Sequence, residues 1–249
     1  MVAVGRAKHI EIIARGKRAV GRTTTKMVSM TKLAEQGELG GLMVRLMMAV
    51  QDFALANHAM GGWKAEKDGK YKDRYIAAGR YFLRLQMSHI LETFELVEEI
   101  QKSDDLKAAL AACDAGTQKS FAKLQEFMKS DDYRLLLMIR NTIGFHYGRK
   151  VVLQALERIK ARTEKNRGQK KKVTDLVPIT LGHEALDWHF VPTEWVENDI
   201  VVRGIFRIPE GDPAEDQDKS NEIVDRLHAV AATFADFAGH FVRHHTKLS

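Results

Sequence analysis

The sequence predicts an all-α protein, an antiparallel helical bundle, on three observations. Only four prolines occur in 249 residues, long stretches carry no turn residue, and apolar residues recur at helical spacing along five separate runs. With 45% hydrophobic and 29% charged residues, the composition is that of a soluble globular chain, long enough for one large domain or two small ones. No window holds the roughly 18 uninterrupted apolar residues of a membrane span. The N-terminus lacks the apolar centre of a secretory signal. A cytoplasmic protein with no membrane partner is therefore expected.

Each element has its own justification. Residues 1–38 read as a basic N-terminal extension with one short helix around AKHIEIIAR, and residues 39–249 as the helical domain. LMVRLMMAVQDFALANHAM is the first core helix, with Met43, Met47 and Met48 as core filler and Gly61-Gly62 as its end. WKAEKDGKYKD is a polar loop. A second helix runs from Asp73 to Lys102, with Phe82, Leu85, Ile90, Phe94, Val97 and Ile100 among its apolar positions. In KSDD, Ser103 or Asp104 caps the next helix, which is Ala-rich and bends at Gly116. Ser130 or Asp131 caps the following one, which ends in the basic linker EKNRGQKKK. An insertion at about 165–215 follows, where WVENDIVVRGIFRIP has the β-branched and aromatic content of a small hairpin. The last helix runs from about Asp218 to His245.

Charge is unevenly placed. Residues 1–32 carry +7 and residues 160–172 carry +6, so with +6 overall the remainder is near −7. Two basic clusters on an otherwise acidic chain attract phosphates by counterion release and steering, which makes nucleic acid a natural partner. Their competing reading is a solvated tail and a solvated linker. Glu11 and the lack of serine near the start argue against an organelle transit peptide. A lone cysteine, Cys113, excludes an intramolecular disulfide and a cysteine-rich zinc site; it reads as a small packed residue in a reducing compartment.

The stretch RNTIGFHYG, Arg140 to Gly148, interrupts an apolar run with Arg, Asn, His and Tyr. On an ideal helix His146 lies about 120° from Arg140, so the two converge only if Gly144 loosens the helix or a second subunit supplies its own copy. A buried polar contact for Arg140 and Asn141, with a satisfied His146, is the structural alternative.

Arg140, the polar Asn141 directly after it, a five-residue spacing and then His146 resemble the signature of the HEPN (higher eukaryotes and prokaryotes nucleotide-binding) superfamily. The likeness of helix order extends from about residue 40 to the C-terminus. The resemblance implies metal-independent RNA cleavage by a homodimer, with Arg140 and His146 catalytic, Asn141 supporting them, and no cofactor. It also implies a cytoplasmic toxin-like role in defence or stress, with an antitoxin or other protein as a further partner. His146 suits removal of a ribose 2′-hydroxyl proton at neutral pH, and Arg140 suits the scissile phosphate. Tyr147 and the basic Lys170, Lys171 and Lys172 are expected to bind substrate. Some relatives carry a Tyr two positions after the His as a modification target; here Tyr147 follows His146 directly, so that role is not carried over.

Other constellations are weaker. Asp236, His240 and His244 share one face of the last helix, and histidines there also suit the negative end of the helix dipole, so no metal site is expected. GHEALDWHF, with His183, Glu184 and Asp187, misses the second histidine of a zinc-protease motif. Trp188, Trp195, Phe190 and Phe206 serve either as packing or as stacking platforms for bases. The alternative to an enzyme is a non-catalytic helical module that binds nucleic acid or a protein partner through the same segments.

Overall fold

The structure is a computed structural model, and it describes residues 27–65, 75–141, 148–169, 176–181, 183 and 189–246. Among them are nine α-helices: α1 (Met30–Glu35), α2 (Glu38–Ala65), α3 (Tyr75–Lys102), α4 (Asp104–Ala112), α5 (Ala115–Phe127), α6 (Asp131–Ile139), α7 (Arg149–Gly168), α8 (Val191–Asp199) and α9 (Pro213–His245). The only sheet among the described residues is an antiparallel pair, β1 (Ile179–Thr180) with β2 (His189–Phe190), in the register Ile179 to Phe190. The chain is an all-α helical bundle.

It divides into two compact units, each assembled from separate stretches. Among the described residues, the first contains those within 27–55, 89–133 and 221–246, and the second those within 56–88 and 134–220. The first unit is built on an aromatic spine. In α9, Val224, Leu227, Phe234, Phe237 and Phe241 are buried at spacings of three, four and seven, the stripe a core-facing helix requires. Phe237 packs on Phe121 with ring centroids 5.2 Å apart and on Phe241 at 5.7 Å, while Phe94 stacks on Phe127 at 5.5 Å and meets Tyr133 edge-on at 5.1 Å. Leu42, Met43 and Leu46 of α2 complete this core. The segment Glu38–Ala56 of α2 is long and apolar enough to cross a membrane by length and composition alone. It also contains Arg45 and Asp52, and about a third of it is buried, with Leu42, Met43 and Leu46 at most 1% exposed.

Helix caps set the boundaries. Ser103 Oγ accepts from Leu106 N, Asp114 Oδ1 accepts from Thr117 N at 2.9 Å, and Ser130 Oγ accepts from Tyr133 N at 3.2 Å. Asp114 explains why the Ala-rich helix breaks at Cys113-Asp114 rather than at Gly116: its carboxylate takes two hydrogen bonds from Thr117, and these define a new N-terminus. Asp212 Oδ1 accepts from Ala214 N with Pro213 at the first helical position, so α9 starts five residues before the expected Asp218.

Four further expectations need correction. The first core helix does not end at Gly61-Gly62 but continues to Ala65, since a glycine costs a helix only about 1 kcal/mol and no proline follows. Met48 is 58% exposed and is not core filler. Half of the basic linker is helical, because α7 reaches Gly168. WVENDIVVRGIFRIP forms no hairpin: α8 passes directly into a π-helical turn, Ile200–Ile205, which ends where Arg207 takes φ +55°. Pro192 in the first turn of α8 starts a helix there, and burial of Ile200, Val202, Ile205 and Ile208 overrides their strand preference. The helix proposed around AKHIEIIAR lies outside the described residues.

Glycine matters at the corner joining α1 to α2. Gly37 turns the chain with φ +57°, and a Cβ on Gly40 would stand 1.8 Å from the Leu33 carbonyl oxygen. Gly40→Ala is expected to undock α1, losing about 2 kcal/mol of Leu33 burial against about 1 kcal/mol gained in helix propensity. Gly41 has nothing within 4 Å of its Cβ position. Gly41→Ala is therefore expected to stabilise by about 1 kcal/mol. Denaturant unfolding of the two variants should differ by about 2 kcal/mol in that direction.

Candidate nucleic-acid interface

The residues that carry the functional expectation begin at the end of α6. Leu136 and Ile139 bury one face of this helix in the second unit, at 0% and 4% exposure. The regular helix stops there. Arg140 and Asn141 continue in π-helical backbone, Arg140 half-buried and Asn141 exposed, and α7 begins at Arg149 after Gly148. Short π-helical insertions are frequent where a helix carries functional side chains, because the extra residue per turn rotates the following side chains. His146, Tyr147, Lys170, Lys171 and Lys172 lie outside the described residues.

The basic surface has two parts. Along α7, Arg158 donates to the Asp199 carboxylate from Nε and Nη2, both at 2.7 Å; Arg162 Nη1 lies 3.6 Å from the other Asp199 oxygen and 3.9 Å from Glu210, and Lys165 is 3.9 Å from Glu210. These cations are structural. They neutralise Asp199, whose side chain is only 1% exposed, and they hold α7 against α8 and the π-helical turn. Arg149, Lys150 and Lys160 are exposed on the same helix. The 160–172 cluster is thus partly an ion-pair lattice and partly a phosphate-accessible surface.

Two aromatic side chains lie beside the start of α8. Phe190 is 41% and Trp195 38% exposed, so each retains ring surface on which a base can stack. His189 Nε2 is 2.8 Å from Glu194 Oε1, and this pair fixes β2 to the first turn of α8. Arg84 donates to Glu197 at 2.7 Å, securing α3 to α8 within the same unit. In the zinc-protease-like stretch, Glu184 and Asp187 lie outside the described residues.

Sequence reasoning missed Asp199 altogether. It reads as a turn residue in Glu-Asn-Asp, and nothing local indicates that it is the buried counter-ion of α7. It also missed the approach of Cys113 to His244 and His245 in the first unit, residues more than 130 positions apart. Cys113 is no activated nucleophile, since burial, and then the Asp114 carboxylate, push its thiol up to about 11. The chain matches no protein-family model, no curated protein and no solved structure.

Proposed function

We propose that the chain is a HEPN-type endoribonuclease that cleaves single-stranded RNA without a metal. The observation that carries this reading is the loss of regular helix at Arg140-Asn141, where the first two motif residues follow a helix that buries Leu136 and Ile139. The exposed cations of α7 and the exposed rings of Phe190 and Trp195 in the same unit support an RNA substrate.

In this reading His146 removes the 2′-hydroxyl proton, the 2′-oxygen attacks the adjacent phosphorus, and the phosphorus–5′-oxygen bond breaks. Arg140 takes the charge that gathers on the phosphoryl oxygens, and Asn141 orients the phosphate. Water supplies the proton to the departing 5′-oxygen. The products are a 2′,3′-cyclic phosphate and a 5′-hydroxyl. The protein works as a cytoplasmic homodimer in a defence or stress system, restrained by an antitoxin or another protein.

Incubation of the purified chain with a mixed RNA pool in EDTA, with mapping of fragment termini, tests the reading. Cyclic-phosphate ends support it. Binding without fragments across several RNAs, from a protein that sizes as a dimer, replaces it with a binding module.

A further inference from the structure

At one end of the first unit, the C-termini of two helices meet. Helix α4 ends at Ala112 with Cys113 as its cap, and α9 ends at His245. Cys113 Sγ and one ring nitrogen each of His244 and His245 lie within 4.8 Å of one another. We propose that these three side chains bind one zinc-class divalent ion, with a fourth position open to water.

Metric, electrostatic and chemical arguments agree. A tetrahedral ion with a metal–sulfur bond of about 2.3 Å and a metal–nitrogen bond of about 2.05 Å separates its S and N ligands by about 3.6 Å. Cys113 Sγ and His245 Nε2 are 3.6 Å apart. These two atoms therefore already stand at ligand spacing. His244 is exposed at the helix end, so a side-chain rotation brings its ring the last ångström without disturbing the core.

Both helix C-termini carry a partial negative charge, which favours a cation between them. The Asp114 carboxylate is next in sequence and is held by two hydrogen bonds from Thr117. The Ala109 carbonyl lies 3.6 Å from Cys113 Sγ and 3.2 Å from His245 Nε2, so it aims both ligands at one place. On coordination the thiol proton leaves to solvent, the His245 ring takes the tautomer with its proton on Nδ1 so that Nε2 can ligate, one sulfur–metal and two nitrogen–metal bonds form, and the Ala109 contacts are released. Phe241, fully buried with its ring centroid 4.6 Å from that of His245, closes the inner side. One thiolate and two imidazoles suit a borderline-soft ion and not magnesium or calcium.

The ligand set differs from the helical Asp236, His240, His244 face, because only His244 is common to both. The site is independent of the RNA-cleavage reading and lies in the other unit.

Titration of the tag-free full chain with Co²⁺ tests it. One ion should bind per chain, with a thiolate-to-cobalt charge-transfer absorption and tetrahedral visible bands. Cys113→Ser should abolish the charge-transfer absorption, and His244→Ala should weaken binding at least about tenfold. His240→Ala should leave both unchanged. His244 and His240 are exposed, so these two variants decide the matter even if Cys113→Ser fails to fold. Absence of the charge-transfer absorption in the native chain overturns the proposal. So does Co²⁺ binding that depends on His240 and is indifferent to His244.

Discussion

His146→Ala is expected to lower RNA cleavage by about 10²–10⁴-fold, the range for loss of a general base. Arg140→Ala is expected to lower it by about 10²–10³-fold, as for removal of one group that stabilises developing negative charge. The two losses should differ in their pH dependence. On the proposed reading the Arg140→Ala variant keeps its imidazole base, so its residual rate should rise with pH as that imidazole loses its proton and then level off. The residual rate of His146→Ala should lack that step. Single-turnover cleavage across pH 5 to 8, beside circular dichroism of each variant, checks both. A native rate lost equally in Arg149→Ala and His146→Ala would make the effect one of RNA affinity and not of proton transfer. Because the residues act as a unit, the double variant should be little worse than the weaker single one.

The second large effect is structural and asymmetric. Arg158→Ala is expected to destabilise the second unit by about 3 kcal/mol, whereas Asp199→Ala should cost about 1.5 kcal/mol. The difference follows from which charge is stranded. Asp199 is 1% exposed and takes both close contacts from Arg158, and Arg162 stays at 3.6 Å, so loss of Arg158 leaves a buried carboxylate poorly compensated. Among the described residues its Oδ1 already has no hydrogen-bond partner. Loss of Asp199 instead leaves Arg158, 38% exposed, which can turn to water. Urea unfolding of the two variants measures the order. A larger loss in Asp199→Ala would mean that the carboxylate acts mainly by packing.

Helix existence was legible because burial leaves a periodic trace. The stripe Leu227, Phe234, Phe237 and Phe241 in α9 and the run Ile90, Phe94, Val97 and Ile100 in α3 each place their buried residues where a 3.6-residue period puts them. Caps were legible for the same local reason: Ser103 and Ser130 bond to amides three residues on. The insertion was misread because β-branched residues report a local preference, while the burial of Ile200 and Ile205 is set by chain far away in sequence.

The candidate site divides likewise. Arg140, Asn141 and His146 were legible as a motif, because their order in the chain is all the motif requires. Which cations of α7 remain exposed was not legible: Arg158 and Arg162 look like Arg149 and Lys160 in a charge count, and only the position of Asp199 separates them.

The sequence by itself determined the all-α class, the existence of the long helices and the placement of polar residues in an apolar run, since each depends on neighbours within one or two turns. Only the tertiary structure decided that α4 and α5 end and begin against the C-terminus of α9, that Asp199 is buried under two arginines, and that Cys113 meets His244 and His245. Those juxtapositions join residues up to 136 positions apart. They are fixed by how helices pack, and packing depends on the summed burial of whole helix faces rather than on any short stretch of chain.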